Sequence, residues 1–356
     1  MRVLLAAGGS GGHVFPALAV AEELHGEGEH RLAWIGNPHG LEAQVVEKRP
    51  WIEFFPLVTR GLARDRPWSW PKALLQQGQA VFQAKRFIRK FQPDVVLVMG
   101  GYPSVAPALA AKRLGIPVVL HEQNAVMGLA NRFLASLADL VLLAFPQTEH
   151  CPRGAKTRVT GTPVRAGITR IPPRLGQEFL VLGGSLGSRR LLEAVMAMGP
   201  ELSQLPNCHV RLVIGRAGNP HAIARPLQQQ GIPVEVHTFT ERVEEFLERA
   251  RLVLARAGGS TVAELACAGR PAILVPWEKA AGGHQLKNAE FLAQRGGFLL
   301  VREKELVDGN LSALVHALWG NEQRLQELGR AARAQARPDA ARRVVEALKS
   351  LGKERS

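Results

Sequence analysis

The chain has 356 residues, 46% hydrophobic and 21% charged, with 45 Lys and Arg against 31 Asp and Glu for a formal charge of +14. That length supports two or three globular domains with sizeable cores, and the basic balance favours anionic partners. The basic residues are scattered and no zinc-finger or RNP-type motif occurs, which argues against nucleic acid and leaves phosphorylated ligands or an anionic membrane surface.

In chain order, the apolar run at residues 3–7 reads as a strand. Arg2 gives it the look of a leader, but it is too short and glycines end it. Gly8-Gly9-Ser10-Gly11-Gly12-His13 follows, and then a helical period at Leu18, Ala21 and Leu24. A strand, a glycine turn and a helix N-terminus direct backbone N–H groups and a positive dipole end at one spot, which suits an anion. The plainer alternative is a tight turn that needs residues without Cβ. A dinucleotide fingerprint fits poorly: Val14 stands at the third glycine position, and the next strand, residues 31–36, ends without an acidic residue for a ribose. No Gly-Lys-Ser/Thr follows, so a Walker A loop is excluded.

Residues 68–91 combine Trp68, Trp70, Leu74, Leu75, Phe82, Phe87 and Ile88 with Lys72, Lys85, Arg86, Arg89 and Lys90. Part of the apolar stripe belongs to a core-facing helix over 71–91. The excess of both apolar and basic residues suggests a face resting on anionic lipid. No uninterrupted apolar segment approaches the length of a bilayer span, so the expected membrane contact is peripheral. Strands at 94–99, 116–120 and 141–143 alternate with helical patterns, notably 104–114. Unbroken β-branched runs of this kind imply a parallel sheet covered on both faces.

A second cycle begins near residue 163. A strand at 179–182 leads into Gly183-Gly184-Ser185-Leu186-Gly187-Ser188 and a helix over 189–198. Strands at 210–214, 234–238, 252–255, 272–275 and 298–301 follow, with a helix over 260–268 opening after Gly258-Gly259. The tail, 321–353, reads as helical and broken at Pro338. The fold class is therefore α/β, with two Rossmann-like doubly wound domains. Their expected bounds are 1–162, joined by the C-terminal helix 339–356, and 163–338, with a hinge at Thr160-Gly161-Thr162-Pro163. Cys151, Cys208 and Cys267 are odd in number and far apart, which argues for a reducing compartment and against a disulfide framework or zinc site.

The string from Gly8 to Ala21, together with Met99-Gly100-Gly101-Tyr102, His121-Glu122-Gln123-Asn124-Ala125 and Gly161-Thr162-Pro163-Val164-Arg165, resembles the MurG family. These are the peptidoglycan N-acetylglucosaminyltransferases that convert lipid I to lipid II. Gly183-Gly184-Ser185, Thr261-Val262-Ala263-Glu264 and Gln285-Leu286-Lys287-Asn288-Ala289 continue the likeness in order along nearly the whole chain. Each motif alone is weak, and the ordered set is specific. The resemblance implies a GT-B arrangement with the active site in a cleft. It also implies inverting transfer from UDP-N-acetylglucosamine to the carbon-4 hydroxyl of an undecaprenyl-linked muramoyl-pentapeptide, at the cytoplasmic face of the cell membrane.

Glycosyl transfer from a nucleotide sugar must neutralise a departing diphosphate. No Asp-x-Asp occurs to hold a metal, and no cofactor is expected, so the charge falls to amides and helix dipoles. The glycine loops at 8–12, 183–187 and 258–259 can provide them. Ser10, Gly11, Gly12, Ser185 and Arg165 are candidate donors. Ser185 could equally cap its helix, and Arg165 could form a surface ion pair. The resemblance makes Gly259, Ser260, Thr261, Val262, Ala263 and Glu264 part of the donor site. Glu264 then holds the ribose hydroxyls, although a glutamate so placed also stabilises a helix start. By resemblance Thr240 reads the uracil edge through its backbone, while Gln285 and Asn288 reach sugar hydroxyls from one helix face.

Inversion needs a base for the acceptor proton. His13, at a glycine turn and titrating in the useful range, is the candidate for that role or for orienting the acceptor; a purely structural histidine is the alternative. His121-Glu122 begins like a zinc-protease motif, but Ala125 replaces the second His, so no metal is expected. Tyr102 and Asn124 are expected to line the acceptor side. Ser10 stands where many relatives carry Thr; Gly259-Ser260 and residues 279–283 also depart from the usual pattern, which bears on contacts to the amino sugar.

Overall fold

A computed structural model of the chain describes residues 1–59, 70–306 and 309–353. It divides into two compact units, Met1–Arg165 with Asp339–Ser356, and Ala166–Pro338.

The first unit holds β1 (Arg2–Ala6), β2 (Arg31–Gly36), β3 (Ile52–Pro56), β4 (Val95–Val98), β5 (Val118–Glu122), β6 (Leu140–Leu143) and β7 (Thr157–Val159). They form one parallel sheet in the order β3-β2-β1-β4-β5-β6-β7. Successive side chains of a strand face opposite sides, so each apolar run serves two cores. Leu4, Ala6, Val96 and Val98 face Ala84 and Ile88 of the helix Trp70–Phe91 and Ala106 and Ala110 of the helix Val105–Arg113. Val3, Leu5, Val95 and Leu97 face Val14, Leu18 and Ala21 of the helix Gly11–Gly26 and Val344, Val345 and Leu348 of the helix Ala340–Lys353. This double burial is why the central strands carry no polar alternation.

The second unit holds β8 (Glu178–Leu182), β9 (His209–Val213), β10 (Val234–His237), β11 (Ala250–Ala255), β12 (Ala272–Leu274) and β13 (Phe298–Leu300), again parallel, ordered β10-β9-β8-β11-β12-β13. Phe179, Val181, Leu212, Leu252, Leu254 and Trp319 anchor its large core cluster. In each sheet the order reverses beside the first strand, between β1 and β4 and between β8 and β11. The crevice beyond the carboxyl ends of such strands is where α/β sheets bind ligands. The glycine loops after β1, β4, β8 and β11 all lie there.

Two edge strands, β3 and β7, escape the sequence reading. β7 has only three residues and two are exposed, so it lacks the apolar run that marks a central strand. The stretch expected as a hinge, residues 160–163, lies just before the boundary between the units and is buried in the first: the amides of Thr160 and Gly161 donate to Leu143 O at 3.0 and 3.2 Å.

Candidate active site

In the first unit the chain leaves β1 through Ala7 and Gly8, turns at Gly9 (φ +83°) and enters the helix Gly11–Gly26. A Cβ on Gly8 would lie 2.3 Å from Glu42 Oε1 and displace a carboxylate that accepts the Asn37 amide at 2.9 Å. Ser10 is the extended N-cap residue, and its hydroxyl makes no cap bond. The first turn of this helix carries no acidic side chain of its own.

His13 sits one residue further, half-buried, with Nδ1 3.3 Å from Gly8 O. A carbonyl only accepts, so this contact places the proton on Nδ1 and the ring lone pair on Nε2. The other wall of the imidazole is Gly101, where a Cβ would come within 3.2 Å of His13 Cε1. Tyr102 is 42% exposed beside Gly9. Asn124 is half-buried, and both its amide N–H and its side chain donate to Glu122 Oε1, at 2.9 and 3.1 Å. Arg165 belongs to this unit rather than to the second; it is buried and its guanidinium lies 4.4 Å from the Phe15 ring centroid. The alternative reading of Arg165 as a surface residue does not hold, because the guanidinium is buried over the Phe15 ring.

His121 and Glu122 are buried at the carboxyl end of β5. His121 Nε2 donates to Gly161 O at 2.9 Å, and burial pushes its pKa down to about 4, so the ring is neutral. Burial raises the Glu122 carboxyl, while the amides of Asn124 and Asn131 oppose the shift. Among the described residues no three His, Cys, Asp or Glu side chains converge as a metal site.

In the second unit Gly184 (φ +80°) and Gly187 (φ +76°) shape the loop after β8; a Cβ on Gly187 would meet Ile214 O at 2.4 Å. Ser185 is exposed on this loop and is not the cap of the next helix, Arg189–Ala197. Ser188 is, accepting from the Leu191 amide at 3.3 Å. The helix Gly259–Ala268 opens at Gly258 with no acidic residue in its first turn. Ser260, Thr261, Ala263 and Glu264 are part-exposed, whereas Gly259 and Val262 are buried, leaving those two only backbone contacts to offer. Thr240, after β10, accepts the Arg242 amide on its hydroxyl at 3.0 Å. Gln285 Oε1 accepts the Trp277 amide at 2.9 Å, and the Trp277 side chain is 41% exposed. Asn288 corrects the sequence reading. It has no exposed surface and donates to Ala257 O at 2.9 Å, so it fastens the helix His284–Ala293 to the Gly258 turn and does not share an open face with Gln285.

Sequence reasoning missed Arg256, which lies buried beneath these loops. It donates to Val275 O at 3.1 Å and pairs with buried Glu303. The available signal was an arginine directly after the apolar run 252–255.

On the helix Trp70–Phe91, Leu75 and Phe82 are 73% and 67% exposed, and Gln79, Arg86 and Arg89 are exposed at the same helical spacing. Buried Ala80, Ala84, Ile88 and Phe91 form the opposite stripe. Trp68 and the side chains of Trp70, Lys72 and Leu74 lie outside the described residues. No described helix is long and apolar enough to cross a membrane.

Two parallel α/β units of this order, each with glycine loops at the point where the strand order reverses, define the GT-B class of two-domain fold. The family description "Glycosyltransferase family 28 N-terminal domain" matches residues 3–143, and "Glycosyltransferase family 28 C-terminal domain" matches residues 179–344. The UDP-N-acetylglucosamine–N-acetylmuramyl-(pentapeptide) pyrophosphoryl-undecaprenol N-acetylglucosamine transferase of Stutzerimonas stutzeri is 40% identical over 352 residues, 97% of each chain. The crystal structure of Acinetobacter baumannii MurG superposes with a TM-score of 0.75 at 31% identity, covering 98% of this chain and 99% of that one. The UDP-GlcNAc 2-epimerase of Neisseria meningitidis, solved with UDP-GlcNAc, reaches a TM-score of 0.70 at 14% identity over 98% of this chain and all of its own, a likeness of fold alone. The chain belongs to glycosyltransferase family 28 and, within it, to the MurG group of N-acetylglucosamine transferases.

Proposed function

We propose that the chain transfers N-acetylglucosamine from UDP-N-acetylglucosamine to the carbon-4 hydroxyl of lipid I, yielding lipid II, with inversion and without a metal. The observation that carries this reading is a histidine with its lone pair on Nε2, seated at an anion-suited glycine loop in a chain similar almost end to end to transferases named for that reaction. Nε2 of His13 takes the proton as the acceptor oxygen bonds to the anomeric carbon. The bond from that carbon to the diphosphate breaks with its electron pair on UDP. First-turn amides of the helices opening at Arg189 and Gly259, with the Ser185 hydroxyl, offset the charge that develops there.

In this reading the second unit holds the donor: Glu264 takes the ribose hydroxyls, the backbone at Thr240 the uracil edge, and Gln285 the sugar. Asn288 contributes by holding the helix that carries Gln285. Tyr102 and Asn124 serve the acceptor. Leu75 and Phe82, ringed by Arg86 and Arg89, rest on the anionic cytoplasmic face of the cell membrane, where a lipid-linked acceptor resides.

Incubation with labelled UDP-N-acetylglucosamine and a lipid I analogue tests the reading. A β-linked disaccharide product that withstands chelator supports it. An acceptor-independent epimer would instead make the chain a 2-epimerase, and binding without turnover a nucleotide-sugar sensor.

A further inference from the structure

Asn131 is a polar residue on the core side of the helix Leu129–Leu137, 5% exposed among Leu134 and Ala135. Its amide is fully engaged in one direction. Nδ2 donates to Glu122 Oε2 at 2.7 Å, and Oδ1 accepts the Gly101 amide at 2.9 Å. An amide can flip end for end, but the Gly101 N–H requires an acceptor, which fixes Oδ1 on that side and turns Nδ2 to the Glu122 carboxyl. Gly100 and Gly101 are both left-handed (φ +89° and +72°), and a Cβ on Gly100 would lie 2.4 Å from Asn131 Nδ2. Ser104 Oγ holds the other side of this turn, 2.8 Å from Gly100 O and 3.0 Å from Ala6 O. The turn is therefore gripped between Asn131 and the imidazole of His13, which Gly101 walls on its Cε1 side.

We propose that Asn131 is a positioning residue for His13, acting through Gly101, and that Glu122 sets the direction of the Asn131 amide. The idea rests on His13 being the base, as argued above. Neither Asn131 nor Glu122 needs to touch substrate for this. Both keep the imidazole aimed, and a misplacement on the order of 1 Å costs about 100-fold in rate.

The test is a kinetic double-mutant cycle with UDP-N-acetylglucosamine and a lipid I analogue, on His13→Ala, Asn131→Ala and the double variant, each checked for folding by thermal melt. Asn131→Ala is expected to lower kcat by about 10- to 100-fold with donor KM unchanged, and to cost nothing further once His13 is alanine. Gly101→Ala places a Cβ against the imidazole Cε1 while keeping the Asn131 side chain, and is expected to give the same pattern if Asn131→Ala fails to fold. Losses that add to that of His13→Ala, or a kcat equal to wild type in Asn131→Ala or Gly101→Ala, overturn the positioning role while leaving His13 as base. Full activity in His13→Ala overturns the base itself and this proposal with it.

Discussion

Arg256 Nη2 donates to Ser188 Oγ at 2.5 Å, tying the end of β11 to the cap of the helix that follows β8. The same guanidinium pairs with Glu303 and reaches Val275 O, so one buried cation joins four segments at the carboxyl edge of the second sheet. Burying a charge is unfavourable unless every donor finds a partner. Here the partners are the loops themselves, so the loops cannot move apart without exposing the charge.

Arg256→Met is accordingly expected to destabilise the second unit by about 3 kcal/mol, because it removes the buried partner of Glu303 and leaves only exposed Arg190 at 3.6 Å. It should also raise the donor KM, since Ser188 and the glycine loop before it lose their tether to β11. Urea unfolding and initial-rate kinetics on the same protein check this. An unfolding midpoint equal to wild type would remove the tether.

Glu264→Ala is expected to raise the donor KM by about 10- to 100-fold, the worth of hydrogen bonds to a charged group. The wild type should prefer UDP-N-acetylglucosamine over its 2′-deoxyribose analogue, and the variant should treat the two alike. A preference that survives the substitution would take the ribose away from Glu264.

Leu75→Glu and Phe82→Glu should each weaken binding to phosphatidylglycerol vesicles, by about 10-fold or more if the side chain enters the lipid. Raising the salt should weaken wild-type binding as well, because Arg86 and Arg89 act through a screened field. Sedimentation with vesicles measures both, and wild-type binding by the double variant would place the membrane face elsewhere.

Stability should fall on the acid side through His121. Its folded pKa is about 4 against an ordinary 6.5, so the unfolded chain binds the proton first. The contribution is complete above pH 6.5 and is lost as pH falls towards 4, on the order of 3 kcal/mol in all. Glu122, raised in the folded state, acts oppositely: its share is complete below the ordinary glutamate pKa and lost as pH rises through the raised value. In His121→Gln, melting temperature should vary less between pH 6.5 and 4 than in wild type. Equal slopes would show that another group governs acid unfolding.

What the sequence made legible follows burial. Strands buried on both faces announce themselves as unbroken runs, which is why β1, β4, β8 and β11 and the glycine turns after them are readable in order. The edge strand β7, Thr-Arg-Val, carries no such signal. Roles that depend on a partner far along the chain were hidden for the same reason. Nothing near Asn288 points to Ala257, nothing near Ser188 to Arg256, and nothing near Asn131 to Gly101, because each bond is made across the sheet edge by tertiary packing. Ser185, inside a recognisable glycine motif, attracted the cap role that geometry gives to Ser188 three residues later.

The helix Ala340–Lys353 supplies Val344, Val345, Ala347 and Leu348 to the core around Leu18 and Trp34 of the first unit. A ribosome thus completes residues 166–338, whose core draws on its own segment, before it releases the part that seals the domain begun first. Residues 166–338 made alone should fold, whereas 1–165 made alone would display an uncovered apolar face and recruit chaperones or aggregate. The nascent first unit must wait for residues 340–353.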